Sequence, residues 1–144
     1  MKRTLDEVKI QLAMDWKVND ERLDTESLKN QELYSKYLEI KSNFELLMYK
    51  AKGDYKILYR DKWEYYGGKA DVKIYETKPF DLKVLKSDLS IYIESDEDII
   101  KMENKIVYLE TVIKYVDGVL KSISARGWDI KNAIQWKNFE AGLM

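Results

Sequence analysis

Between positions 99 and 123 the apolar residues Ile99, Met102, Ile106, Leu109, Ile113, Val116, Leu120 and Ile123 recur at steps of three and four without a miss. That spacing places all of them on one face of a helix, and such a face has to be covered. Ile100, Val107, Val112 and Val119 flank the seam, making it wider than a two-stranded coiled coil uses and suited to a bundle or a multi-subunit ring. Packing inside the chain and packing between subunits both satisfy the periodicity.

The rest of the chain is also patterned for helix. Thr4-Leu5-Asp6-Glu7 has the residue types of a capping box, and Leu5, Val8, Leu12 and Trp16 form a stripe behind it. This first helix is expected to end near Val18-Asn19-Asp20. A second is expected to start between Thr25 and Ser27 and run to Tyr66, because Leu33, Tyr37, Ile40, Phe44, Leu47 and Ala51 keep the same spacing and Gly67-Gly68 then stops it. About 40 helical residues span about 60 Å, against a radius of gyration of about 15 Å for a compact chain of this length. Either Gly53-Asp54 breaks this helix or the subunit is elongated; a single glycine costs only about 1 kcal/mol in a helix interior, which favours elongation. Proline occurs once, at Pro79. From Ala70 to Glu94 the pattern loosens, and Leu89, Ile91 and Ile93 alternate with polar residues, which predicts a short irregular or β-like segment. Ser95-Asp96-Glu97-Asp98 then supplies a cap and acids suited to a helix start. The seam helix is expected to close at Arg126-Gly127, followed by a short last helix capped by Asp129.

Composition removes whole classes of chemistry. Among 144 residues there is no cysteine and no histidine. Disulfides, thiolate zinc sites, cysteine nucleophiles and the commonest general base are therefore absent. Asp96, Glu97 and Asp98 suit a helix dipole better than a Mg²⁺ site, and Gly67-Gly68-Lys69 follows its helix and leads into Ala70, unlike a phosphate loop. No nucleophile and base can be paired, so neither an enzyme nor a bound metal or cofactor is expected. Charged and polar residues follow Met1-Lys2-Arg3 where a leader would be apolar, and no apolar run is longer than that of Leu46-Leu47-Met48-Tyr49. A soluble, cytoplasmic protein with no membrane partner is expected.

The net charge of −1 hides an uneven layout. Residues 41–69 hold seven basic side chains against four acidic ones, while residues 70–125 hold eleven acids against eight bases. Within the basic section Lys52, Lys56, Arg60 and Trp63 fall along one helical face, and Tyr55, Tyr59, Lys62 and Tyr66 along the adjoining one, with Tyr49, Tyr65 and Lys69 nearby. Single-stranded nucleic acid requires cations for its phosphates and flat rings for bases of any identity. The bland alternative is that the tyrosines are packing residues and the lysines a solvated face.

Several segments carry a family resemblance. Glu32-Leu33-Tyr34-Ser35-Lys36-Tyr37, the stretch from Arg60-Asp61-Lys62-Trp63 through Glu64-Tyr65-Tyr66-Gly67-Gly68-Lys69, Ser124-Ala125-Arg126-Gly127-Trp128-Asp129-Ile130-Lys131 and Phe139-Glu140-Ala141-Gly142 resemble the UvsY recombination mediators of T-even-like phages. Lys78-Pro79-Phe80-Asp81-Leu82-Lys83 resembles cyanophage-type versions. The likeness runs from about residue 30 to the end and rests on the order and spacing of these segments. Lys69 stands where relatives can carry arginine, Trp128 where they carry phenylalanine, and residues 70–94 depart from the T-even pattern.

The resemblance implies a mainly α homo-oligomeric ring, hexameric or heptameric, in the cytoplasm of the infected host. It would bind single-stranded DNA and help load the phage recombinase onto strands covered by the phage single-strand-binding protein, with no catalysis of its own. Family strand-binding positions fall on Arg60 and Lys62. Residues 1–69 would form the strand-binding region, with Lys52, Lys56, Tyr59, Arg60, Lys62, Trp63, Tyr65, Tyr66 and Lys69 as its candidates. Residues 70–94 would connect, and residues 95–144 would drive assembly through the seam, all in one structural unit. A helical structural or adaptor protein that uses the seam for a partner is the competing reading, and a double-strand binder is another.

Overall fold

The computed structural model describes residues 4–142; Met1, Lys2 and Arg3, read above for a leader, lie outside them. Five α-helices follow one another: α1 (Leu5–Asp15), α2 (Leu23–Tyr66), α3 (Val72–Thr77), α4 (Leu89–Glu94) and α5 (Glu97–Glu140), with a 3₁₀ turn at Lys86–Asp88. No strand occurs among the described residues.

The capping box at α1 forms as its residues require: Glu7 N–H donates to Thr4 Oγ1, and Thr4 N–H donates to Glu7 Oε2, both at 3.2 Å. The helix ends at Asp15, earlier than the expected Val18 to Asp20. The following residues turn instead, with Glu21 N–H donating to Asn19 Oδ1 and Asn19 N–H to Glu26 Oε1, so side-chain oxygens replace helical acceptors.

α2 runs unbroken through Gly53 for 44 residues, starting slightly before the expected Thr25. At 1.5 Å per residue that is about 66 Å of helix. Gly68, at φ +74°, ends it. Its N–H donates to Tyr65 O and Lys69 N–H donates to Glu64 O at 2.8 Å, the paired bonds of a Schellman motif, which demands a left-handed residue that glycine supplies without strain.

α5 corrects the expected break at Gly127. It continues for 44 residues, and Gly127 has ordinary helical φ. Buried Ile123, Arg126 and Ile130 carry the inward stripe straight across it, and that burial outweighs the modest cost of one helical glycine. Asp129 lies inside the helix and caps nothing. At the other end the cap is Asp96, whose Oδ1 accepts from Asp98 N–H at 2.9 Å, while Ser95 closes α4.

The β-like reading of residues 70–94 is corrected too. Leu89 and Ile93 are buried whereas Ile91 is exposed; four residues apart, the buried pair shares one face of a short helix. Alternation over so few residues fits either period. α3 opens on Asp71, whose side chain accepts from Lys73 N–H, and residues 78–85 have no regular structure.

Packing divides the chain into two units. The first takes the segments before Glu45 and after Thr111. Its core includes Val8, Leu33, Tyr37, Ile40 and Phe44 with Val112, Val116, Leu120 and Ile123. The second is Glu45–Thr111, where Leu89, Ile93 and Ile99 form a buried cluster against Tyr55, Leu58, Tyr59, Tyr66 and Val84.

Candidate nucleic-acid interface

The last turns of α2 sort their side chains by helical angle. Tyr49, Lys52, Lys56, Arg60 and Trp63, at steps of three and four, occupy one exposed arc. Tyr49 is 81% exposed and extends the face beyond the predicted residues. None of these five positions carries a carboxylate. Arg60 meets Asp61 at 3.7 Å, with both side chains more than half exposed, a pairing worth little in water. The Schellman turn folds the chain back so that Lys69 Nζ sits 4.5 Å from the centre of the Trp63 ring. Lys52, Lys56, Arg60, Trp63 and Lys69 thus share an outward surface with Tyr49.

Four other predicted residues face inward. Tyr59 is half-buried against the Leu89, Ile93 and Ile99 cluster and lies beside Tyr55, their ring centres 6.0 Å apart. Tyr65 is buried, stacks on Tyr75 at 5.4 Å and donates its hydroxyl proton to Lys78 O at 3.0 Å. Tyr66 lies nearly perpendicular to Phe80, their ring centres 5.0 Å apart, and donates to Asp96 Oδ2 at 2.5 Å. Lys62 Nζ lies 2.8 Å from Asp98 Oδ2 and 3.3 Å from Asp96 Oδ2, its side chain only 13% exposed.

These contacts perturb the groups together. Burial and the Asp96 carboxylate both push the Tyr66 phenol well above its usual range. Burial would raise the Asp96 carboxyl, but bonds from Tyr66, Asp98 N–H and Lys62 hold it below the ordinary value. Burial likewise opposes the Lys62 charge, and the two carboxylates outweigh it, leaving the ammonium harder to deprotonate than usual. Asp96 and Asp98 as partners of Lys62 were not foreseeable from spacing, since they lie over thirty residues downstream.

The seam residues divide as well. Ile99, Leu109, Val116, Leu120 and Ile123 are buried inside the chain, whereas Met102, Ile106 and Ile113 are half-buried. Apolar side chains exposed on α5 are found instead at Ile100, Val107, Trp128, Trp136 and Phe139. Among the described residues no group of acidic side chains is arranged to hold a metal ion, and no helix is long and apolar enough to cross a membrane.

The fold and this surface define an all-helical protein with a cationic, aromatic helix face. Residues 11–143 match the family described as recombination, repair and single-stranded DNA binding protein UvsY, and the chain belongs to that family. The recombination protein UvsY of enterobacteria phage T4 is 25% identical over 138 residues, covering 96% of this chain and 98% of that one. A crystal structure of the bacteriophage T4 recombination mediator protein UvsY superposes with a TM-score of 0.83 at 25% identity, over 97% of this chain and 99% of that one. A second crystal form of it gives 0.81 at 24% identity, over 93% and 98%.

Proposed function

We propose that the chain is a recombination mediator that binds single-stranded DNA as a homo-oligomer and promotes loading of the phage recombinase onto strands coated by single-strand-binding protein, in the cytoplasm of the infected host. The observation that carries this reading is the exposed arc of Lys52, Lys56, Arg60 and Trp63 with Lys69 over the indole. It offers cations to phosphates and a ring to bases, the two requirements of sequence-tolerant strand binding. Membership of the UvsY family supports the same conclusion.

The chemistry is binding and release. Each subunit holds a short stretch through several weak contacts, and a hexameric or heptameric ring multiplies them by effective concentration. A strand led across several subunits is bent away from its coating protein and left open to the recombinase. Residues 1–69 supply the strand contacts and residues 95–144 the assembly, for which the exposed Ile100 and Val107 and the half-buried Met102, Ile106 and Ile113 are better placed than the buried members of the seam.

Salt titration tests the strand site. Each phosphate contact contributes about −0.7 to the slope of log affinity against log salt for single strands. Replacing Lys56 and Arg60 by alanine is expected to weaken oligothymidine binding and flatten that slope by about 0.7 per cation removed. An unchanged slope in the double variant would remove these residues from the interface.

A further inference from the structure

We infer that Lys62 is a positioning residue of the strand-binding face and not one of its phosphate contacts. This inference rests on the strand-binding reading above for its consequence, although its physical basis is independent of DNA.

Lys62 has three ammonium protons, and two carboxylates already engage two of them, Asp98 at 2.8 Å and Asp96 at 3.3 Å. Its side chain is 13% exposed, against 66% for Arg60 two residues earlier. A phosphate approaching Lys62 would meet the exposed Asp98 carboxylate beside it, and like charges at such range repel. Turning Lys62 outward would leave the Asp96 carboxylate, only 4% exposed, without its cation. Stranding a buried charge in this way is among the costlier changes a fold can suffer.

What Lys62 does instead follows from its neighbours. Lys62 and Tyr66 are four residues apart on α2, and both converge on Asp96 Oδ2. The other oxygen of Asp96 caps α5 through Asp98 N–H. Asp96 therefore ties the final turn of α2 to the first turn of α5. Tyr66 is the last residue of α2 before the Gly67-Gly68 turn that brings Lys69 onto Trp63. Fixing Lys62 and Tyr66 fixes the turn from which Arg60 and Trp63 project and the point from which Lys69 returns.

The test compares full-length variants in one background, with Trp16, Trp128 and Trp136 changed to phenylalanine so that emission reports Trp63 alone. Lys62→Met is expected to keep the native salt slope for oligothymidine, while Arg60→Ala flattens it by about 0.7. Well below its melting temperature, Lys62→Met is also expected to shift Trp63 emission to the red as Lys69 leaves the ring, and Lys62→Arg to restore it. A role in stability alone would leave that emission unchanged. Should Lys62→Met fail to fold, Asp98→Asn decides the matter: a phosphate-binding Lys62 released from its competitor would bind oligothymidine more tightly, whereas the positioning role predicts no gain in affinity and a lower melting temperature. A slope flattened as much by Lys62→Met as by Arg60→Ala, an unshifted Trp63 emission, or a gain of affinity in Asp98→Asn would each overturn the inference. Absence of oligothymidine binding by the unaltered protein would instead defeat the strand-binding reading, and the Trp63 emission of Lys62→Met would still judge the positioning role.

Discussion

The Lys69 ammonium sits 4.5 Å from the centre of the Trp63 ring, on a surface where that indole is 38% exposed. The contact is attractive in itself, and it places a cation beside a ring in the pairing that one nucleotide needs. Base stacking on an aromatic side chain is worth about 1–3 kcal/mol, so Trp63→Ala is expected to weaken oligothymidine binding about tenfold. Lys69→Met is expected to weaken it less and to flatten the salt slope, which Trp63→Ala leaves alone. Fluorescence anisotropy of a labelled strand at several salt concentrations separates the two effects.

In the first unit Arg126 Nη2 donates to Glu26 Oε2 at 2.8 Å, with side chains 4% and 9% exposed. Asn30 completes the arrangement by accepting from Arg126 Nη1 and donating to Ile123 O. Arg126 Nε finds no hydrogen-bond partner among the described residues. Glu26→Ala leaves a buried guanidinium uncompensated and is expected to cost about 3–5 kcal/mol, whereas the double change Glu26→Leu with Arg126→Met recovers most of it. Urea unfolding of the three proteins measures both values.

Much of this was legible in the residues and some was not, for reasons that are physical. The capping box at Thr4, the stop at Gly67-Gly68 and the continuity of α2 through Gly53 are local events, governed by side chains within a turn of where they act. The periodicity of the seam was equally plain, yet periodicity states only that a face is covered, and Val116 and Ile123 turn out to be covered by this same chain. Gly127 misled because a glycine ends a helix only when the next turn has nothing to bury, and Ile130 is buried there. Lys62 was the least legible. On a helical wheel it adjoins the cationic face, and its removal from solvent depends on acids that only the tertiary fold brings near.

The glycines of the two long helices give opposite expectations. A methyl group added at Gly53 meets nothing within 4 Å, while one at Gly127 lands 3.1 Å from Asn30 Nδ2. Gly53→Ala is therefore expected to stabilise by up to about 1 kcal/mol, the difference in helix propensity. Gly127→Ala gains the same propensity but displaces Asn30 from Ile123 O and Arg126, and is expected to destabilise. Thermal melts of the two variants should move in opposite directions.

Ile100 and Val107 are 43% and 57% exposed and lie two turns apart on one face of α5. Neither residue belongs to the buried core of the protomer, so the variant Ile100→Asp, Val107→Asp is expected to retain its helical circular dichroism. If this face joins subunits, its native mass falls to that of single chains. A full-sized assembly in the double variant would exclude this face from the interface.

The response to acid follows from the same carboxylates. Asp96 and Asp15 are held below the ordinary value of 3.8 and Glu26 below 4.5. In each case burial works against ionisation and hydrogen bonds outweigh it, from Lys36, Gln11 and Tyr37 to Asp15, from Asn19 N–H and Arg126 to Glu26, and from Tyr66, Asp98 N–H and Lys62 to Asp96. A carboxyl whose folded pKa is depressed contributes stability that is present above its unfolded pKa and lost as the pH falls through the folded one. The melting temperature should therefore hold steady from neutrality down to about pH 5 and decline below about pH 4. Tyr66→Phe takes from Asp96 its bond from a phenol at 2.5 Å, so the Asp96 pKa moves back toward 3.8 and less stability remains to be lost in acid. The melting temperature of Tyr66→Phe should lie below that of the unaltered protein near neutrality, and the gap between them should narrow as the pH falls below about 4. A gap that stays constant across that range would show that the Tyr66 hydroxyl supports the fold without acting through the Asp96 charge, and no gap at all that Tyr66 acts through its ring alone.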